Sequence, residues 1–166
     1  MSYSIISGIG KIDRGKWEFF IRKNTHGSIF QSPEMFDLYA GLESYHPIIL
    51  AVSDGNDSLA GLLLAVIIED YKSLFGRLTA RCVVHGGPLI GNSHPDSSAL
   101  ASLLLDELVK QVKDHCLYIQ FRNLFDTGAM EVAFVGKSFI MQPHLNLIIP
   151  TPATGDAIRN ISSGKL

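Results

Sequence analysis

The sequence predicts an α/β domain of the α+β kind, a mixed sheet with helices on both faces. Three observations predict it. Apolar runs of strand length, bounded by turn residues, follow one another between residues 47 and 89; an amphipathic pattern of helical period follows at residues 97 to 115; and another apolar run comes directly after it at residues 116 to 122. Strands joined by short turns pair antiparallel, whereas a strand, helix, strand order sets its strands parallel through a right-handed crossover. At 166 residues the chain suffices for one core and falls short of two.

After a loose start, Lys16 to Lys23 (KWEFFIRK) forms a short helix with Trp17, Phe20 and Ile21 on one face, and Gly27 provides a left-handed cap. Ser32 and Pro33 open a second helix, a capping hydroxyl followed by a proline at the first position, with Glu34 at the favourable end of the dipole. It should run to about Leu42 with Met35, Phe36, Leu38, Tyr39 and Leu42 inward. Pro47 to Val52 and Leu59 to Glu69 are strands about a DGNDS hairpin turn, and Leu78 to Leu89 returns as the third strand of an antiparallel meander. Ser97 to His115 is the longest helix, with Leu100, Leu103, Leu104, Leu108 and Val112 on its apolar side. Cys116 to Arg122 is a strand, Thr127 to Gly136 a shorter helix, and Leu145 to Ile149 a last strand. This gives one domain over residues 1 to 150. The tail, residues 151 to 166, changes to small polar residues, proline and glycine.

Composition narrows the classes. Fourteen Lys and Arg against sixteen Asp and Glu, without a basic stripe, argue against direct nucleic-acid binding. A hydrophobic fraction of 46% calls for a large core or an apolar face that a partner covers. Cys82 and Cys116 lie inside apolar runs, away from C-x-x-C or metal-ligand spacing, and read as buried thiols of a reducing compartment. No apolar run has the length of a membrane span and the N-terminus lacks a signal-peptide pattern, so a cytoplasmic location is expected. Hydrolase and nucleotide signatures such as G-x-S-x-G, H-E-x-x-H and the P-loop are absent, and no metal site is expected.

Chemistry is expected where the third strand breaks. Gly86, Gly87 and Pro88 follow His85 shortly before the long helix. Two residues without side chains and one without an N–H interrupt a ladder, either as a plain turn or as a place where the sheet opens to a ligand. His85 and His144 stand at strand ends, with Asn146 two residues beyond His144 on the same face. Each histidine is either a core residue satisfied by backbone or a polar pocket wall. Arg81, Arg122 and Asn123 lie on or beside apolar strands, where a charge needs a partner: a carboxylate such as Glu69, Asp70 or Asp126, or an anionic ligand. Arg122 ends its strand at the carboxyl edge, the usual level for ligands.

Four runs together carry a family resemblance: Gly27 to Phe36 (GSIFQSPEMF), Leu78 to Leu89 (LTARCVVHGGPL), Tyr118 to Leu124 (YIQFRNL) and Gln142 to Ile149 (QPHLNLII). With the element order, they resemble the N-terminal half, itself GNAT-like, of the FemAB family of peptidoglycan aminoacyltransferases. The resemblance covers about residues 16 to 165. It implies a groove in which a strand splays from its neighbour, an acyl or aminoacyl transfer to an amine of a peptidoglycan precursor or similar acceptor, and aminoacyl-tRNA as donor for the full-length family. Arg81, His85, Gly86, Gly87, Arg122, His144 and Asn146 are the substrate-binding candidates, with backbone N–H groups at the two glycines assisting an oxyanion.

Two departures qualify what carries over. Acetyltransferases of the GNAT fold have an Arg or Gln, then x-x-G-x-Gly or Ala, ahead of the cofactor helix, whereas here the stretch is GGPLIGNSHPD. No anion nest for pyrophosphate is evident, so acyl-CoA is disfavoured and no cofactor is expected. A basic substrate-contacting residue of the family's early helix is replaced near Asp37. Residues 158 to 166 (IRNISSGKL) resemble the opening of a connecting helix, so the expected partner is a missing C-terminal domain or a second copy, and the isolated chain is expected to be inactive. The alternatives are a small-molecule N-acyltransferase using acyl-CoA and a non-catalytic interaction module.

Overall fold

The structure, a computed structural model, describes residues 3–55, 58–69, 79–92, 94 and 96–142. The predicted strand at 145–149, the tail, His144 and Asn146 lie outside the described residues. Four strands run β1 (Ser4–Ser7), β2 (Tyr45–Ser53), β3 (Leu59–Ile68) and β4 (Arg81–His85), each antiparallel to the next, and β6 (Ile119–Arg122) lies parallel to β4. The short β5 (Leu89–Ile90) pairs back onto β3. The mixed sheet expected from the sequence is therefore present, with β1 added to the meander. Its residues Ser4–Ser7 pair with Ser53–Leu50, and so short a segment shows no period that marks it as a strand.

Helices cover both faces. On one side α1 (Arg14–Lys23) and α2 (Pro33–Ala40) pack Trp17 and Tyr39 against Ile49, Ala51, Leu62, Leu64 and Val83. On the other, α3 (Ser97–Val112) lays Leu100, Leu104, Leu108 and Val112 on Leu50, Val52, Leu63, Ala65, Cys82 and Val84. The alternation of neighbouring strand residues between these two clusters is the pleat of a sheet buried on both sides. It also explains why β2 and β3 read as continuous apolar runs. α4 (Glu131–Gly136) follows a 3-10 turn at Gly128–Met130 and packs Ala133 and Phe134 against Ala101 and Leu105 of α3.

Local chemistry sets most boundaries, and several differ from expectation. α1 starts at Arg14 because the Asp13 carboxylate accepts from the Lys16 N–H at 2.8 Å. Ser32 caps α2 through the Met35 N–H, as its position before Pro33 predicts. Leu38 and Leu42, expected inward, are 56% and 43% exposed, because α2 ends at Ala40 and presents only Met35, Phe36 and Tyr39 to the core. Gly27 is not a left-handed cap: α1 ends at Asn24 in an extended conformation, and Gly27 is needed because a Cβ there would stand 2.0 Å from the Ile21 carbonyl oxygen. Asp37 binds Arg14 at 2.7 Å.

The third strand of the meander is broken in a defined way. Between the Val66–Val83 and Leu62–Leu89 pairs, β3 uses residues 63–65 while the opposite chain uses residues 84–88. Two additional residues must bulge out of the ladder. Gly86 and Gly87 take them up with φ of +82° and +76°, a region that side chains with a Cβ rarely adopt. Gln31, fully buried, fills the space above Gly86: its Nε2 lies 2.2 Å from where a Gly86 Cβ would stand. The glutamine is held in turn by its backbone carbonyl, which accepts from the Trp17 indole N–H at 2.8 Å, and by its Oε1, which accepts from the Ser28 N–H at 2.9 Å.

Substituting Gly86 by Ala therefore imposes an unfavourable φ and displaces a buried amide. We expect Gly86→Ala to lose about 1–3 kcal/mol of unfolding free energy from the backbone conformation alone. Gly10→Ala, where a Cβ meets nothing within 4 Å, is expected to stay within about 0.5 kcal/mol of wild type. Urea unfolding followed by tryptophan fluorescence reads both.

Candidate functional site

The site forms where β4 and β6 part. Their parallel register runs from Cys82 opposite Ile119 to His85 opposite Arg122, and the Gly86 N–H then donates to the Arg122 carbonyl at 2.9 Å. Beyond that bond β4 turns away through the bulge to rejoin β3, while the β6 chain enters the loop before α4. The Asn123 carboxamide occupies the gap: its Oδ1 lies 2.6 Å from where a Gly87 Cβ would stand. The expectation that both glycines present N–H groups to a ligand is thus corrected at Gly86, whose N–H is already committed to the sheet.

His85 and Arg122 are paired residues of adjacent parallel strands and project from the same face, the one that Val83 turns toward α1 and α2. The loop from Asn24 to Gln31 reaches over this face. Phe30 stacks on His85 with ring centroids 5.7 Å apart, and His26 stacks on Phe125 at 4.2 Å, so one loop grips the ends of both diverging strands. Asn24 anchors the loop below, donating from its Nδ2 to the Ile90 carbonyl at 2.6 Å and accepting the His26 N–H at 2.9 Å.

A groove of about 1010 Å³ runs from here along β6. Phe30, His85, Gly86, Arg122 and Asn123 form its polar end, and the Phe121, Phe134 and Phe139 rings, packed edge to face, line the apolar end. Among the described residues no Asp or Glu lines it. Burial, and secondarily the charge of Arg122, push the His85 imidazole below its ordinary value of 6.5. Arg122 is exposed, and its guanidinium donates to Gln120 Oε1 at 3.4 Å. The carboxylates proposed from sequence as its partners are engaged elsewhere or lie outside the described residues. Glu69 meets His46 at 3.5 Å, Asp126 accepts the Gly128 N–H at 2.9 Å, and Asp70 is not described.

Of the seven residues singled out from the sequence, His85, Gly86 and Arg122 line this groove and Gly87 adjoins it through Asn123. Arg81 does not join them: it begins β4, four residues from His85, opposite Ile68. His144 and Asn146 lie outside the described residues. Phe30, Gln31, His26 and Phe125 were not anticipated. Their contacts link segments distant in sequence, and only the GSIFQSPEMF run, through Phe30 and Gln31, pointed to any of them.

Among the described residues before α3, the Gly91 and His94 amides are committed to internal bonds. The Gly91 N–H donates to the Ala60 carbonyl at 2.8 Å and the His94 N–H to the Gly91 carbonyl at 3.1 Å. The Asp96 carboxylate caps α3 by accepting the Ala99 N–H at 2.9 Å. Asn92 turns its side chain toward α1, where it donates to the Lys23 carbonyl and accepts the Thr25 hydroxyl. Among the described residues no group of three His, Cys, Asp or Glu is placed to hold a metal, and no helix is long and apolar enough to cross a membrane.

No family model and no curated protein matches the sequence. Solved structures do match in shape. The aminoglycoside 6'-N-acetyltransferase of Acinetobacter baumannii is similar over 92% of this chain and all of its own, with TM-score 0.56 and 11% identity. The ribosomal-protein-alanine N-acetyltransferase of Brucella melitensis biovar Abortus 2308 is similar over 90% of this chain and all of its own, with TM-score 0.56 and 8% identity. For the glucosamine-6-phosphate N-acetyltransferase of Arabidopsis thaliana the values are 92%, all of its own chain, 0.53 and 12%. The domain has the GNAT fold, mixed sheet and flanking helices included, as the sequence led us to expect.

The displaced histidine gives a titration test. Because its folded value lies below the unfolded one, the unfolded chain binds more protons as the pH falls below about 6.5, and stability from this group declines there. We expect the His85 ring resonances to titrate below 6.5 by NMR and to move back toward that value in Arg122→Gln.

Proposed function

We propose that this chain is the GNAT-like N-terminal half of a FemAB-type transferase, moving an acyl or aminoacyl group from an activated ester to an amine of a peptidoglycan precursor or a similar acceptor. One observation carries the proposal. Three of the four runs that resemble the family meet at the same groove, Phe30 from the first, His85 and Gly86 from the second, Arg122 and Asn123 from the third, with Gln31 of the first buried against Gly86. The fourth lies outside the described residues.

The reaction forms a C–N bond between the amine and the ester carbonyl carbon and breaks the C–O bond to the donor alcohol. The amine loses a proton and the departing oxygen gains one. His85 is suited to take the amine proton, because burial beside Arg122 favours its neutral, accepting form. With the Gly86 N–H bound to the Arg122 carbonyl, stabilising the tetrahedral oxyanion falls to the Gly87 N–H beside it. Phe30 holds the imidazole by stacking, and Gln31 keeps the bulge open.

The described residues before α3 support a donor without the pyrophosphate of acyl-CoA. The amides of Gly91 and His94 are committed to internal carbonyls, and a carboxylate stands at the end of the helix where an anion would have to sit. That supports a donor other than acyl-CoA. The alternative, a small-molecule N-acyltransferase using acyl-CoA, draws support from the fact that the neighbours named above match over their whole chains.

The two are separated by binding. Calorimetry with CoA and acetyl-CoA is expected to show no saturable heat, and a stem pentapeptide with a free side-chain amine is expected to shift the His85 and Arg122 NMR signals. Saturable CoA binding that is lost in the Gly86→Val, Gly87→Val double variant would favour the alternative. A pentapeptide that leaves both signals unmoved would remove the first proposal.

A further inference from the structure

We infer that the groove selects an anionic substrate with an apolar or aromatic body, and that Arg122 is the residue that recognises its carboxylate or phosphate. Selecting the substrate by charge deepens the transferase proposal and rests on it only for the identity of the bound anion as the acceptor.

The chemistry comes from what lines the groove. Arg122 carries its fixed charge, and the polar groups around it, His85, Asn123, Gln120 and Gln142, are neutral or held toward neutrality. Among the described residues the Arg122 guanidinium has no carboxylate within ion-pair distance, only the Gln120 amide oxygen at 3.4 Å. An arginine on a strand that borders a concave apolar surface, with no acidic neighbour, leaves donors in a planar fork for a carboxylate or phosphate. The aromatic wall begins on the same strand at Phe121, one residue before Arg122 and on the opposite face, and one groove takes in both, so an anion at Arg122 places its apolar body across β6 toward these rings. A polycation has nothing to bind here. Its amines need carboxylates, the groove offers none among the described residues, and Arg122 repels them. The groove is therefore set against multiply charged amino sugars and in favour of an amine that carries its own negative charge.

The test is an equilibrium binding measurement on the full chain, which does not depend on turnover. Hippurate and phenyl phosphate present a carboxylate and a phosphate on an aromatic body, hippuramide removes the charge at nearly constant shape, and kanamycin is the polycation. NMR titrations are expected to show hippurate or phenyl phosphate shifting Arg122 and Phe30 signals, with affinity falling as salt is raised, and hippuramide binding at least tenfold more weakly. Arg122→Gln is expected to lose at least tenfold in anion affinity, Arg122→Lys to retain part of it, and Lys113→Gln, on an exposed turn after α3, to change nothing. Comparing the two anions shows whether carboxylate or phosphate is preferred. Equal affinity for hippurate and hippuramide, unchanged anion affinity in Arg122→Gln, or kanamycin binding more tightly than either anion would overturn the inference. Anion binding that depends on Arg122, together with a stem pentapeptide that does not bind, would leave the selectivity standing and remove the acceptor proposed above.

Discussion

Everything at the groove depends on the two residues by which the third strand of the meander exceeds its partner. An antiparallel ladder tolerates such an excess only if the additional backbone leaves the plane, and positive φ at Gly86 and Gly87 lets it do so without a side-chain clash. The slip serves two neighbours at once. Up to Gly86 the chain is bonded to β6, and from Leu89 it is bonded to β3. A regular strand would have kept β6 beside it throughout, and the gap filled by Asn123 would not exist.

The bulge is stabilised from the other end of the sequence. Gln31 fits against Gly86, its carbonyl is bonded to the buried Trp17 indole, and the loop before it stacks on His85 and Phe125. Packing of α1 is thereby transmitted to the site. Trp17 is both a core residue and the support of the glutamine that keeps the strands apart. A buried polar group that is only partly satisfied is costly, and among the described residues the Gln31 Nε2 has no hydrogen-bond partner. Such a cost is retained where geometry matters more than stability, which is consistent with the glutamine serving the groove.

Charge is divided between the two ends of this region. The end of α3 carries the Asp96 carboxylate in the position where an anion would otherwise be drawn to the helix dipole, while the groove along β6 carries Arg122 and no carboxylate among its described lining. The overall charge of -2 does not reveal that division, because a net charge says nothing about position.

The amino-acid sequence by itself determined the elements whose cause is local. The Ser32–Pro33 start, Leu100, Leu104 and Leu108 of α3 and the apolar β2 and β3 are legible because capping, helical period and strand burial are properties of neighbouring residues, whereas Leu103, expected on the same side of α3, is exposed. It also marked the Gly86–Gly87 break and three of the groove's polar groups, His85, Arg122 and Asn123. Tertiary structure alone decided the rest. Whether the break is a turn or a bulge depends on which residues of β3 it faces; Arg81 is separated from His85 because the strand has length; and Phe30, Gln31, His26 and Phe125 reach the site through contacts across many residues of chain. β1 escaped notice for the same reason, since four residues become a strand only when β2 offers an edge.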